Sequence, residues 1–253
     1  MLADFNFFYI SITSLGYPES CSPSTTKLKF DFPKYSIKDC VNFKRKFLAE
    51  VFNINNILGI LGVGTGGYEA FTWGCEYPDE MEFLIVGHSS FKTNGYRYIT
   101  YKALSNLIDS SDAYWDAVYS DHLSKIMFSI NTFIYSQYFS KKTFQNFTRE
   151  ELDMLMDTFV EEGSTEDIYD FKYRIDAALN YDVENKLSNI KAKTFIFYAS
   201  EDGYYSPEYD MIPLKDKIED IEISVFDDQE FVYKYDYSLF VKPFREFLEE
   251  FKK

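Results

Sequence analysis

Residues 57–79 constrain the fold more than any other stretch of this 253-residue chain. Ile57-Leu58-Gly59-Ile60-Leu61 is an apolar run of strand length. Gly62-Val63-Gly64-Thr65-Gly66-Gly67 follows as a glycine-rich turn. Ala70, Phe71, Trp73, Gly74 and Tyr77 then recur at helical spacing until Tyr77-Pro78-Asp79 stops the helix. Strand, tight turn and helix in that order point to an α/β protein with a mostly parallel sheet.

A turn of this kind can cradle a phosphate or hold a side chain on a strained corner. The turn contains no lysine, which excludes a P-loop. Gly62, Gly64 and Gly67 match G-x-G-x-x-G formally. That fingerprint belongs on an early strand, however, and here another strand-helix unit precedes it. The frame Gly62-Val63-Gly64-Thr65-Gly66 instead fits G-x-S-x-G, with glycine at the central position where the nucleophile belongs. Glycine tolerates positive φ, so Gly64 relieves strain of about 1–3 kcal/mol while removing the reactive oxygen.

Composition narrows the partners. The net charge of −15 argues against nucleic acid and anionic membranes, which bind basic patches. Hydrophobic residues make up 46%, enough for a sizeable core, and 26 Phe with 22 Tyr dominate the aromatics. Cys21, Cys40 and Cys75 are odd in number and lack metal-ligand spacing, which fits a reducing compartment and a cytoplasmic location. No run reaches the length of a membrane span, and Asp4 interrupts an N-terminus that has no basic region, so no leader is expected.

The remaining elements follow from periodicity. Phe5–Thr13 reads as a buried strand and Ser36–Phe52 as a helix capped by Ser36. Met81–Val86 is a short strand running into Gly87-His88-Ser89-Ser90. Helical periods then dominate around Tyr98–Ile108, Tyr114–Tyr138 and Arg149–Val160, with a capping box at Thr148-Arg149-Glu150-Glu151. Thr194–Tyr198 and Ile221–Phe226 resume the sheet, and Asp236–Lys252 closes as an amphipathic helix. The division expected is a core over residues 1–90, a helical lid insertion over 91–181 that roofs a pocket with aromatics, and the rest of the core over 182–253.

The turn resembles the nucleophile elbow of the α/β-hydrolases, whose triad runs nucleophile, acid, histidine. Asp202 follows a late strand, as the acid should. The histidine should precede the closing helix, but Asp227-Asp228-Gln229-Glu230-Phe231 contains none, and Gln229 approximates the vacated position. The two histidines of the chain lie elsewhere, His88 after the strand that follows the elbow and His122 in the helical segment. Both read as packing or surface residues rather than bases.

Four blocks resemble the homoserine O-acetyltransferase branch of that superfamily. Gly62–Ala70 with Trp73 and Tyr77-Pro78-Asp79 is similar to its elbow and YPD pattern. Leu15-Gly16 with Ser22-Pro23-Ser24 is similar to its LGxGxSxSPS loop. Tyr181-Asp182-Val183 with Leu187, Ile190 and Lys191-Ala192 resembles the return from the lid, and Ser200-Glu201-Asp202 through Pro207 the acid loop.

The resemblance implies an α/β-hydrolase fold truncated at its N-terminus, with a sheet of about five strands. It places the chain's start near the fold's fourth strand, and Phe5–Thr13 is then expected to pair directly with the elbow strand. It also implies an acyl-serine transfer from acetyl-CoA to homoserine. Carried over, Asp202 is the triad acid and the Thr65 backbone N–H an oxyanion donor, while Gly64 and Gln229 occupy the nucleophile and histidine positions. Loss of a triad costs about 10⁴–10⁶ in turnover. The reading is therefore a catalytically inactive homologue that binds a small-molecule ligand or a protein partner, alone or as a homo- or hetero-oligomer. No cofactor is expected, with acetyl-CoA as acyl donor only if the family activity is retained. The alternative is an acyltransferase or esterase with relocated groups, drawn from Thr65, Cys75, Ser89 or Ser90.

Overall fold

A computed structural model describes residues 5–138, 140–163, 165–226 and 238–252. The chain divides into two compact units. One comprises residues 1–12, 44–92 and 183–253, the other 13–43 and 93–182. Residues 13–43, expected in the core, group with the helical segment.

In chain order, α1 (Pro23–Thr26) and α2 (Ile37–Phe52) precede β1 (Gly59–Val63) and α3 (Thr65–Glu76). β2 (Phe83–Gly87) comes next. The helices α4 (Gly95–Asp109), α5 (Asp112–Trp115), α6 (Asp121–Tyr138), α7 (Lys141–Gln145), α8 (Arg149–Gly163) and α9 (Ile168–Leu179) follow. The chain then forms β3 (Lys193–Ala199), β4 (Ile221–Phe226) and α10 (Ser238–Glu249).

The first unit holds a parallel sheet in the order β1-β2-β3-β4. Every residue of β2 is buried and β3 is buried after Lys193, the continuous apolar run of a strand covered on both faces. Phe83, Phe195, Phe197 and Phe226 form the core with Phe244, Phe247 and Leu248 of α10. Each such side chain contributes about 1.5–3 kcal/mol when fully buried.

The described sheet has four strands rather than about five. Residues 6–14 take no strand conformation, and β1 pairs with β2 alone among the described residues. The expected pairing of Phe5–Thr13 with β1 is therefore corrected. Phe5 is buried in the core and stacks on Phe7 at 5.6 Å, whereas Phe8 is 80% exposed. Aromatic anchoring, not a backbone ladder, holds this segment.

The helical unit is tied by polar groups on α9. Ser22 caps α1, and its hydroxyl donates to the buried Asp170 carboxylate at 3.0 Å. Ser24 donates to the same carboxylate through its N–H at 2.8 Å and its hydroxyl at 2.6 Å. Burial pushes the Asp170 carboxyl up, and the serine donors offset part of that shift. Tyr114 and Tyr169 stack at 4.8 Å, and the Tyr169 hydroxyl donates to the Tyr114 carbonyl. These two aromatics pack against each other between α5 and α9. The single helix expected over Tyr114–Tyr138 is broken after Trp115, where Ala117 adopts φ +55°. No helix among the described residues is long and apolar enough to cross a membrane.

Candidate functional site

The register of the parallel strands builds the site. Val63 pairs with Gly87, and Gly87 with Phe197, so the residues just past β1, β2 and β3 emerge at one edge of the sheet. Those residues are Gly64, His88 and, slightly later, Asp202. The carboxyl ends of parallel strands are where open α/β sheets place ligands.

Gly64 keeps the geometry of an elbow. It adopts φ 58° and ψ −124°, a conformation open to glycine and strained for other residues. Its N–H donates to the His88 carbonyl at 3.0 Å, which ties the corner to the neighbouring strand end. Among the described residues, its chain neighbours aside, a Cβ built at Gly64 meets only the Tyr205 hydroxyl, 4.0 Å away. Gly67 needs close approach instead, because a Cβ there would stand 2.3 Å from Ser89 Oγ.

Asp202 and His88 meet, although the chain order gave no reason to pair them. His88 Nδ1 is 2.7 Å from Asp202 Oδ2. Asp202 Oδ1 accepts the Tyr204 N–H at 2.9 Å and the Tyr205 N–H at 2.8 Å. The Asp202 side chain is 6% exposed and that of His88 30%. The imidazole packs edge-on to Phe197 and Phe226, with centroids at 5.9 and 5.4 Å. His88 itself adopts φ +41°, left-handed backbone that a non-glycine residue rarely takes.

His88, read from the sequence as a packing or surface residue, does pack on aromatics and also meets the Asp202 carboxylate. The missed signal was positional: His88 directly follows the strand that lies between the elbow strand and the acid strand. His122 is exposed on α6. Gln229 lies outside the described residues.

The proposed stand-ins for a nucleophile are otherwise engaged. Ser89 is fully buried, and its hydroxyl donates to the Gly64 carbonyl at 2.7 Å. Ser90 Oγ donates to the buried Asp210 carboxylate at 2.6 Å. Burial, with the Glu76 charge, pushes the Cys75 thiol up to about 12, so it stays protonated. Thr65 opens α3 on an exposed position, where the positive end of the helix lies. No cluster of metal-ligating side chains occurs among the described residues.

An ionised carboxylate only accepts hydrogen bonds, so facing one the ring donates through Nδ1–H, and in that tautomer a neutral imidazole carries its lone pair on Nε2. A histidine oriented in this way can accept a proton from a hydroxyl.

No protein-family model matches the chain. It is 38% identical over 224 residues to a probable acyltransferase of Methanothermobacter thermautotrophicus, covering 88% of this chain and 69% of that protein. It is 23% identical over 217 residues to the homoserine O-succinyltransferase of Hahella chejuensis, covering 79% of this chain and 53% of the relative. The chain thus spans about half the length of that relative. The homoserine O-acetyltransferase of Bacillus anthracis shares the fold with TM-score 0.75 at 17% identity, over 92% of this chain and 70% of that one. An acetylester hydrolase of Corynebacterium glutamicum does so with TM-score 0.70 at 18% identity, over 82% and 65%. The chain belongs to the homoserine O-acyltransferase-like branch of the α/β-hydrolase superfamily.

Proposed function

We propose that this chain has lost the acyl-enzyme chemistry of its family and uses the retained strand-end site to bind a small hydroxyl- or acyl-bearing molecule. One observation carries the reading: Gly64 holds the elbow's backbone conformation with no side chain on it. Among the described residues, setting aside its chain neighbours Val63 and Thr65, the one atom that a Cβ at Gly64 would meet is the Tyr205 hydroxyl at 4.0 Å. Without a covalent carrier, the two-step transfer from an acyl thioester to homoserine has no first half.

Intact-protein mass spectrometry after incubation with acetyl-CoA, and separately with a fluorophosphonate probe, tests this. No stoichiometric adduct should form, while calorimetry with homoserine and O-acetylhomoserine should detect binding of one of them. An adduct mapped to a Ser, Thr, Cys or Tyr at the strand-end edge would overturn the reading.

A further inference from the structure

Binding alone leaves the His88–Asp202 pair without a task. A turn that merely ends a strand needs neither a carboxylate with three donors around it nor a histidine at φ +41°. Backbone of this kind persists where the surroundings over-determine it, and it clusters at functional sites. We propose that His88 is a relocated general base, which activates a hydroxyl from water or an acceptor alcohol for direct attack on a carboxylic ester or thioester held at the Gly64 turn. The inference rests on the absence of an acyl-enzyme proposed above, since the attack is a single displacement.

The geometry suits that step. Asp202 fixes the ring through Nδ1 and leaves Nε2 as the basic atom. The ring is part-exposed, so a ligand can reach it. No His88 atom lies within 4 Å of the point where a Gly64 Cβ would stand. Glycine at position 64 carries no hydroxyl of its own, and in this proposal a ligand hydroxyl takes the place where the family keeps its serine oxygen. Nε2 takes the hydroxyl proton as the new O–C bond forms at the carbonyl carbon. The tetrahedral intermediate then breaks its C–O or C–S bond to the leaving group, and Nε2–H returns the proton to the departing alkoxide or thiolate. Water yields a carboxylic acid; an alcohol yields a new ester. The positive end of α3, which starts at Thr65, faces the charge that develops on the carbonyl oxygen. Asp202 touches no reacting atom and is a positioning residue.

The test is hydrolysis of p-nitrophenyl acetate by the full chain. The expected release is linear with no burst, at a rate above buffer. His88→Asn tolerates left-handed backbone and keeps a donor for Asp202 but offers no base. It should lower kcat about 100-fold or more, in line with the usual worth of a general base. Asp202→Asn should lower kcat at least 10-fold with KM unchanged, which a merely structural role would not do. His122→Gln, which removes the other histidine, should keep the full rate. Urea midpoints confirm folding, and His88→Gln replaces His88→Asn if that variant unfolds. Turnover no faster than buffer, or turnover that survives loss of His88, overturns the inference while the proposed function stands. A stoichiometric burst with acetyl retained on a hydroxyl or thiol overturns the proposed function itself.

Discussion

His88 Nδ1 lies 2.7 Å from Asp202 Oδ2, although 114 residues separate them in sequence. The parallel pairing of β2 with β3 makes the contact, since His88 directly follows one strand and Asp202 closely follows the other. Asp202 holds two backbone N–H groups of its own loop at the same time. Asp202→Ala would leave these donors and His88 Nδ1 without their acceptor. At about 1–3 kcal/mol for each orphaned group, with water reaching the part-exposed ring, the variant should lose about 2–4 kcal/mol in urea unfolding. An unchanged midpoint would show that the carboxylate does not organise this loop.

Gly64→Ser tests how much of the elbow survives. Among the described residues, chain neighbours aside, the added Cβ would meet only the Tyr205 hydroxyl at 4.0 Å, so the cost should be backbone strain of about 1–3 kcal/mol. The variant should fold and become reactive to a fluorophosphonate where the parent chain is inert. His88→Asn in the same variant should abolish that labelling. Labelling that persists without His88 would show that the imidazole does not serve this corner.

Gly67→Ala carries the opposite expectation. Its methyl would meet Ser89 Oγ at 2.3 Å and Ser89 Cβ at 2.4 Å, and Ser89 is fully buried. Relief requires displacing the hydroxyl that donates to the Gly64 carbonyl. Overpacking of this kind costs about 1–3 kcal/mol, and the thermal midpoint should fall accordingly. A variant as stable as the parent would mean that the contact between α3 and the β2 end yields easily.

In the helical unit, Asp170→Ala removes the acceptor of two serine hydroxyls and one backbone N–H. The hydroxyls can turn to other acceptors, but the Ser24 N–H cannot. A loss of about 2–4 kcal/mol is expected from the orphaned groups, read by urea denaturation. Asp170→Asn, which keeps one acceptor oxygen, should fall between the two.

Acid should weaken the sheet unit through Glu80. Burial raises its carboxyl, but hydrogen bonds from the Arg45 guanidinium and the Trp73 indole outweigh burial and hold it below its ordinary 4.5. Because the folded value lies below the unfolded one, the unfolded chain binds the proton first as pH falls. The contribution is complete above the unfolded value and is lost as pH drops through the folded one. Glu80→Gln should therefore be less stable than the parent at pH 7, and the gap should close toward pH 3. A gap constant across urea titrations at pH 7, 5 and 3 would contradict this.

Local pattern carried the elbow a long way. The apolar run of β1, the glycines and the periodicity of α3 all act within about 20 residues, where backbone preference decides conformation. Gly64 and Asp202 were legible for the same reason, each lying directly past a strand visible in the sequence. Phe5–Thr13 has the residues of a strand, but a strand exists only with a partner, and among the described residues β1 pairs only with β2. The break between α5 and α6 depends on a left-handed residue at Ala117, which carries no glycine signal.

That Gly64 itself cannot carry an acyl group follows from residue identity alone, because a missing side chain has no chemistry in any fold. What stands beside Gly64 depends instead on how the strands assemble. Strand order and register are set by long-range burial, and they bring His88 at the end of β2 beside Asp202. A hydrogen bond between adjacent strand ends leaves no trace in sequence spacing, so His88 looked idle until the sheet assembled around it.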